Sequence, residues 1–269
     1  MKTKHFFFLA LVLTFIGTQK MNAQNTFLDL GLPSGTLWAT CNVGASSPEE
    51  IGAYFAWGET SDKSTYAWDS YKYCNGDAWS MKKYCTDKEY GYNEFTDGLA
   101  ELQSEDDAAM ANLGNEWQIP SKAQFEELID KKYTTLEKTS QGLKITSKSN
   151  GHSIILPASG FKQGEDLKFA DRGWYWSRSL DPKKPNKATF LWLQDDYAIL
   201  QIEYRDQGLC VRPVRVQEAH TISDIPDGWK VNGSTTNGTY QAKGGDVLHF
   251  TPKNVPAGKR VKSIKVVKK

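Results

Sequence analysis

The stretch from Arg172 to Val216 constrains the fold most, because it holds three β-type runs separated by turn-forming residues. The runs are rich in aromatic and branched residues and are bounded by Gly, Pro, Asp or Asn: Gly173 to Leu180, Ala188 to Leu193 and Tyr197 to Tyr204. Such short runs favour strands over helices. The acidic sequence Gln194-Asp195-Asp196 predicts a hairpin tip, and Leu209 to Val216 predicts a last strand. We therefore expect an antiparallel sheet that carries both core and binding surface.

The N-terminus has the pattern of a signal peptide. Lys2 and Lys4 precede an apolar run from Phe6 to Ile16, and Ala23 is a small residue suited to cleavage before Gln24. The apolar run is too short to cross a bilayer as a helix. Residues 1–23 are therefore predicted to be removed on export, to the periplasm, the cell surface or the medium, with no membrane span in what remains.

Charge divides the exported part into two segments. Residues 24–216 hold 21 Lys or Arg against 28 Asp or Glu, whereas residues 217–269 hold nine against four. An acidic body argues against nucleic acid as its partner. We predict a body over 24–216 and a small basic β appendage over 217–269. The basic tail suits an edge strand with a charged outer face, or contact with an acidic surface glycan.

The four cysteines predict disulfides, because an exported chain meets oxidising conditions and the count is even. Cys74 and Cys85 each end a Lys-Tyr-Cys tripeptide, and the two tripeptides are close in sequence. This repeat favours them as one pair and leaves Cys41 with Cys210. The alternatives are four free thiols or a metal site. No Cys-x-x-Cys spacing supports zinc.

The remaining segments predict an α+β class with few helices. The clearest helix is Ser121 to Lys131, with Ser121 and Gln124 as a capping box; Ser104 to Asn112 is weaker. Ser47, followed by proline, also suits a helix start. The predicted strands are a hairpin over Phe27 to Cys41 that turns at Leu32-Pro33-Ser34-Gly35, Ala53 to Trp57 and Ser153 to Leu156.

Signals for catalysis and cofactors are absent from the sequence. His152, His220 and His249 are widely spread and lack a metal-ligand spacing. No nucleophile elbow, phosphate-binding glycine loop or calcium loop is found. The Glu105-Asp106-Asp107 run fits a helix N-terminus better than a calcium site. We therefore predict a non-enzymatic protein without metal or cofactor.

The order of motifs resembles the Fibrobacter succinogenes major paralogous domain, which exported proteins of Bacteroidetes carry in many copies. The motifs cover most of residues 28–215: LDLGLPSGTLWATCNVGA, GAYFAWGET, YKYC, YCTDKEYGYNEFTDG, SEDDAAMANLGNEWQIPSKAQFEELI, GWYWSRSL and GLCVRPVR. The resemblance implies a C-type-lectin-like fold, of the variety shared with formylglycine-generating enzymes. It does not imply one activity, because a fold hosts many. The oxidase relatives use a cysteine pair near the C-terminal end of the domain, where this chain has Cys210 alone.

By analogy with that fold, the C-terminal half displays the ligand face. The residues expected to be exposed there and to bind a glycan or protein ligand are Trp192, Asp195, Asp196, Tyr197, Tyr204, Arg205 and Asp206. Aromatic rings offer flat apolar area, and charged groups fix hydroxyls or opposite charges. The alternative is that Trp192 belongs to the core and that Tyr204 and Arg205 are merely solvated. The chain is thus predicted to be an exported binding module; the alternatives are a structural or assembly subunit and an enzyme on the same fold.

Overall fold

The computed structural model describes residues 26–215 and, beyond them, the segments 219–222, 229–231, 234–235, 240–243 and 250–251. These residues form two short α-helices, several 3-10 turns and small antiparallel sheets, so the chain belongs to a mixed α+β class in which strands predominate. The predicted signal peptide, residues 1–23, lies outside the described residues. Within the described ranges, no helix combines the length and apolar character needed to cross a membrane.

The first hairpin forms as predicted and is closed by the end of the body. Strand β1 (Phe27–Asp29) pairs antiparallel with β2 (Leu37–Ala39), and Gly35 in the connecting turn has φ +67°. Strand β11 (Val214–Arg215) pairs with the other edge of β2. The predicted last strand, Leu209 to Val216, is therefore shorter than expected, although Leu209 and Cys210 make isolated bridges to Phe55 and Tyr175.

The central sheet confirms the three predicted runs. Strands β8 (Gly173–Leu180), β9 (Lys187–Gln194) and β10 (Tyr197–Tyr204) form an antiparallel sheet in the order β10-β9-β8. The predicted hairpin tip forms, but only Asp195 and Asp196 separate β9 from β10, because Gln194 belongs to β9. In this three-stranded sheet, β10 is an edge.

Both faces of the central sheet are covered near β8. Trp174, Trp176 and Phe190 on one face belong to a core cluster that includes Trp57 and Val211. The other face contributes Tyr175, Leu191 and Leu193 to a second cluster, together with Phe125 of a helix and Leu143 of a hairpin. The period of two along each strand explains why neighbouring aromatics enter different clusters. Gly173 opens β8 without a side chain because a Cβ there would lie 2.7 Å from Leu193 Cδ1.

The two α-helices begin at sequence-encoded caps. In α2 (Lys122–Ile129), the Ser121 hydroxyl accepts from Gln124 N at 3.2 Å while Gln124 Oε1 accepts from Ser121 N at 2.8 Å, so the predicted capping box is confirmed. The helix α1 (Ala108–Leu113) is capped by Asp107, and a 3-10 turn precedes it at Ser104–Asp106. The predicted helix start at Ser47 is wrong, because the chain makes only a turn there.

Hairpins between α2 and the central sheet complete the body. Strands β3 (Thr134–Lys138), β4 (Gly142–Ser147) and β5 (Ser153–Pro157) form one antiparallel sheet. Strands β6 (Phe161–Gln163) and β7 (Asp166–Lys168) form a two-stranded one. Of these five, the sequence predicted β5. The predicted strand Ala53 to Trp57 is reduced to an isolated bridge at Phe55.

Short strands follow residue 216 and pair with one another. They are β12 (Ala219–Ile222), β13 (Lys230–Val231), β14 (Ser234–Thr235), β15 (Tyr240–Lys243) and β16 (Phe250–Thr251). Strand β12 pairs with β15, and β13 lies between β14 and β16. The basic tail that ends in KRVKSIKVVKK lies outside the described residues.

The two predicted disulfides do not form. Cys41, Cys74, Cys85 and Cys210 are all buried free thiols. Three of them donate to main-chain carbonyls instead: Cys74 Sγ to Trp68 O at 3.1 Å, Cys85 Sγ to Asp87 O at 3.1 Å and Cys210 Sγ to Ile51 O at 3.5 Å. The prediction rested on an even number of cysteines, which does not reveal where each side chain points. In the structure, these three thiols point at neighbouring carbonyls.

Candidate functional site

The tip of the β9–β10 hairpin brings together four of the seven predicted site residues. Asp195 and Asp196 are the exposed turn, and Trp192 and Tyr197 flank it on the two strands. The rings of Trp192 and Tyr197 meet edge to face, with centroids 6.3 Å apart and an interplanar angle of 72°. Tyr197 is 51% exposed and Trp192 is half-buried. The expectation that this part of the sheet faces outward is therefore met at its tip.

The two rings belong to a longer series that we call the aromatic row: Phe169, Trp174, Trp192 and Tyr197. Phe169 stacks on Trp174 with centroids 5.8 Å apart and planes at 20°, and Trp174 meets Trp192 at 6.4 Å and 85°. Trp174 is buried, whereas Phe169 at the outer end is 54% exposed. Aromatic contacts of this geometry hold rings in fixed orientations. The row is consequently anchored in the core and open at both ends.

Arg172 lies across the aromatic row. Its guanidinium carbon is 5.0 Å from the ring centroid of Phe169 and 5.9 Å from that of Trp192, within the range of cation–π attraction. Its Nε is buried and has no hydrogen-bond partner among the described residues. A buried donor without a partner costs about 1–3 kcal/mol, so this arrangement destabilises the free protein unless something else accepts from it.

Arg172, which contacts the aromatic row, also lines a cleft of about 310 Å³. We call it the Arg172 cleft. The tip of the β3–β4 hairpin, the segment before β8 and the end of β9 form its walls. Its lining includes Lys138, Gly142, Leu143, Arg172, Leu193 and Asp195. Apolar walls with a few charged groups, at a volume near the lower end of small-molecule sites, suit a group of modest size.

The charges around the Arg172 cleft are largely paired. Lys138 Nζ lies 2.5 Å from Asp195 Oδ1, and this interaction raises the pKa of Lys138. Asp171 Oδ2 lies 3.8 Å from Arg172 Nε, which is too long for a hydrogen bond. Arg172 is therefore the charged group at the cleft whose donors remain unused by the described residues.

Two of the five non-glycine residues with positive φ in the described part of the chain lie at the same place; the other three are Tyr84, Asn93 and Glu94. Phe169 has φ +47° and Asp195 has φ +54°, a left-handed conformation that residues other than glycine rarely adopt. Non-glycine residues in this region cost free energy and cluster at ligand sites, where the fold maintains them. Here one strained residue presents an exposed ring and the other presents the carboxylate paired with Lys138.

Tyr204 does not join the aromatic row. It lies at the other end of β10, seven residues from Tyr197, a separation of about 23 Å along an extended strand. Its ring is 40% exposed, meets Trp68 edge to face at 5.9 Å and lies under Lys187 Nζ at 4.0 Å. The predicted site therefore divides into two surfaces rather than one.

Arg205 was expected to be exposed, and this prediction is wrong. The side chain is completely buried. Its Nε donates to Tyr71 Oη at 2.9 Å, its Nη1 to the carbonyls of Pro185 at 2.7 Å and Tyr84 at 3.0 Å, and its Nη2 to the carbonyl of Lys83 at 3.0 Å. The guanidinium also lies 4.9 Å from the Trp57 ring. Arg205 thus holds loops to the sheet and has no surface for a ligand.

Asp206 was also expected to be exposed, and it is buried as well. Its Oδ1 has no hydrogen-bond partner within the described part of the chain. Burial is the largest cause that raises the pKa of Asp206 to about 6, and the nearby Glu203 raises it further. Asp206 therefore affects the stability of the fold and does not contact a ligand.

Phe169, Arg172 and Lys138 were missing from the predicted site. Each comes from a segment that the sequence did not place next to the β9–β10 tip: Phe169 and Arg172 from the turn before β8, and Lys138 from the end of β3. The sequence offered one local clue to two of these residues, because Phe169-Ala170-Asp171-Arg172 places an aromatic residue and an arginine just before β8. The position of Lys138 depends on the β3–β4 hairpin, which the sequence did not predict.

The described residues contain no group of three or more His, Cys, Asp or Glu side chains placed to hold a metal ion. Comparison with known proteins gives no further assignment: no protein-family model, curated protein or solved structure matches the chain. A function for this chain therefore has to be inferred from the geometry of the aromatic row and the Arg172 cleft.

Proposed function

We propose that the protein is an exported, non-enzymatic binding module that recognises a glycan or protein ligand at the cell surface or outside the cell. The observation that carries the proposal is the aromatic row, whose exposed ends flank an arginine with unused donors beside a cleft. Flat rings and a guanidinium are the groups that binding proteins use to stack on sugars or anchor side chains. The signal-peptide pattern of residues 1–23 supports export.

The proposal includes the fold expected from the order of motifs. A C-type-lectin-like body over 24–216 would place the loops and the edge of its C-terminal sheet at the ligand face. Two features of the chain support this. Strand β11 pairs with β2 near the N-terminus, and the aromatic row lies at one end of the central sheet. A small basic β appendage over 217–269 completes the proposed organisation.

The test uses residues 24–269 on arrays of glycans and of surface proteins. Tyr197→Ala and Phe169→Ala should each reduce binding of any ligand found by about tenfold or more, because each removes an exposed ring at an end of the row. Trp79→Ala is the matched control, since Trp79 is 60% exposed and stacks on Tyr90 in another cluster. Equal losses in all three variants, or ligand binding unaffected by the first two, would contradict the proposal.

Charge asymmetry favours a second candidate, a structural or assembly subunit. The surplus of basic residues in 217–269 suits docking to an acidic surface or partner. Deleting residues 217–269 should then abolish surface retention and leave the body folded by circular dichroism. Retention by the truncated chain would exclude docking through this segment.

A further inference from the structure

We infer that the ligand carries an oxyanion that Arg172 binds. The oxyanion is a carboxylate or sulfate group on a sugar ring that stacks along the aromatic row. This inference rests on the proposed function and specifies its ligand class. Of the five arginines in the described residues, four donate side-chain hydrogen bonds or form a close ion pair within the protein, whereas Arg172 has only the 3.8 Å contact with Asp171.

The other four arginines each use one or more side-chain donors within the protein. Arg205 and Arg212 are completely buried and donate to main-chain carbonyls, and Arg212 also donates to Asn42 Oδ1 at 2.8 Å. Arg178 donates through Nη1 to Gln118 Oε1 and through Nη2 to Leu102 O at 2.7 Å. Its Nε, like that of Arg172, has no hydrogen-bond partner among the described residues, but it lies 3.3 Å from Glu101 Oε2. Arg215 is ion-paired with Glu116. Their roles are therefore accounted for by the fold.

Arg172 differs from these four in that its contacts orient it without occupying its donors. The rings of Phe169 and Trp192 lie against the guanidinium, and its side chain remains 32% exposed. Cation–π contacts engage the face of a guanidinium and do not use its N–H groups. Because Nε of Arg172 is buried, the groups open to a ligand are those of Nη1 and Nη2. The planar fork of N–H donors matches the two oxygens of a carboxylate, and it also accepts a sulfate.

The nearest carboxylate does not satisfy Arg172. Asp171 is 3.8 Å from Nε and its own side chain is 72% exposed, so its attraction is weakened by water. Asp195 is taken by Lys138. An anionic ligand therefore meets the guanidinium of Arg172, which has open donors, and competes for it only with the exposed carboxylate of Asp171. Removing the charge of Asp171 should strengthen the binding of the ligand to Arg172.

The surroundings favour a sugar as the carrier of the anion. Phe169 and Tyr197 present exposed ring area on either side of Arg172 and Trp192, which suits the apolar face of a pyranose. The cleft of about 310 Å³ that Arg172 lines is at the small end of ligand sites and accommodates individual rings rather than a protein surface.

The test measures the affinity of residues 24–269 for two matched pairs by calorimetry. One pair is a galacturonic acid tetrasaccharide and its methyl ester; the other is a carrageenan tetrasaccharide and its desulfated form. We expect the charged member of at least one pair to bind about tenfold or more tightly than its neutral partner. The pair that shows the preference identifies the oxyanion as carboxylate or sulfate.

Variants decide whether Arg172 is responsible. Arg172→Met should abolish the preference for the charged form, and Arg172→Lys should retain part of it because charge remains without the fork. Asp171→Asn should strengthen binding severalfold. Equal affinity for charged and neutral forms would overturn the inference while leaving the binding-module proposal in place. Binding to none of the four probes would also overturn the inference that the ligand is anionic. The glycan and protein arrays would then test the proposed function on their own.

Discussion

The guanidinium carbon of Arg172 lies 5.9 Å from the ring centroid of Trp192, and Arg172 Nε makes no hydrogen bond among the described residues. Arg205, 33 positions further along the chain, is enclosed by carbonyls and by the hydroxyl of Tyr71. The two arginines have opposite roles beside the same sheet. One uses its donors to hold the fold together, and the other leaves its side-chain donors unused by the described residues.

Arg205→Met should destabilise the protein by about 3 kcal/mol or more, because it leaves several buried carbonyls without donors. Arg172→Met removes no hydrogen bond within the described structure and also removes the unpartnered Nε, so it should not lower the free energy of unfolding by more than about 1 kcal/mol and can raise it. Urea unfolding followed by tryptophan fluorescence measures both. A similar loss for the two variants would show that Arg172 is structural as well.

Asp206 should make stability depend on pH. Its pKa in the folded protein is raised to about 6, whereas an unperturbed aspartate titrates near about 3.9. Between these values the unfolded chain loses the proton and the folded protein keeps it, so stability falls as pH rises from about 4 to 6.

Asp206→Asn should remove this dependence. The difference in unfolding free energy between the variant and the wild type should shift in favour of the variant by about 2 kcal/mol from pH 4 to pH 7. Taking the difference cancels the contribution of other carboxylates, such as the buried Asp107, whose pKa burial also raises. A difference that stays constant across this range would mean that Asp206 is ionised in the folded protein at pH 4.

The cysteines should behave as four protected thiols. All four are buried, and burial raises the pKa of Cys210 to about 12 and also raises the pKa values of Cys74 and Cys85. Because the thiolate is the reactive form, the folded protein should not react with a thiol reagent at pH 8. In guanidinium chloride without reductant, four thiols per chain should appear. Two or none would indicate the disulfides that the sequence favours.

The local features of the fold were predictable where short-range chemistry decides them. The β9–β10 hairpin follows from Asp195 and Asp196 between apolar runs, and α2 follows from the capping box of Ser121 and Gln124. The strands β3 and β4 were missed because their polar residues give a weak apolar pattern. The helix start at Ser47 failed because Gly52, with φ +79°, ends any helical continuation within a few residues.

The candidate site was predictable only in part, because its composition depends on long-range packing. Arg205 is charged and close to a turn, which is typical of a solvated residue; its burial depends on carbonyls from residues 83–84 and 185 that the fold brings around it. The free donors of Arg172 are likewise a property of its surroundings. Trp192 and Tyr197 could be identified from the strand pattern, whereas Phe169 and Lys138 required the tertiary arrangement.

The most direct test of the account is the NMR signal of the Arg172 Nε–H group in ¹⁵N-labelled protein, assigned by its loss in Arg172→Lys. During titration with the galacturonic acid tetrasaccharide or the carrageenan tetrasaccharide, the account predicts that this signal shifts in a saturable manner. The corresponding signals of Arg205 and Arg212, which donate within the protein, should stay in place. An Arg172 signal unmoved by both charged probes, or shifts spread over all three arginines, would contradict a ligand site at Arg172.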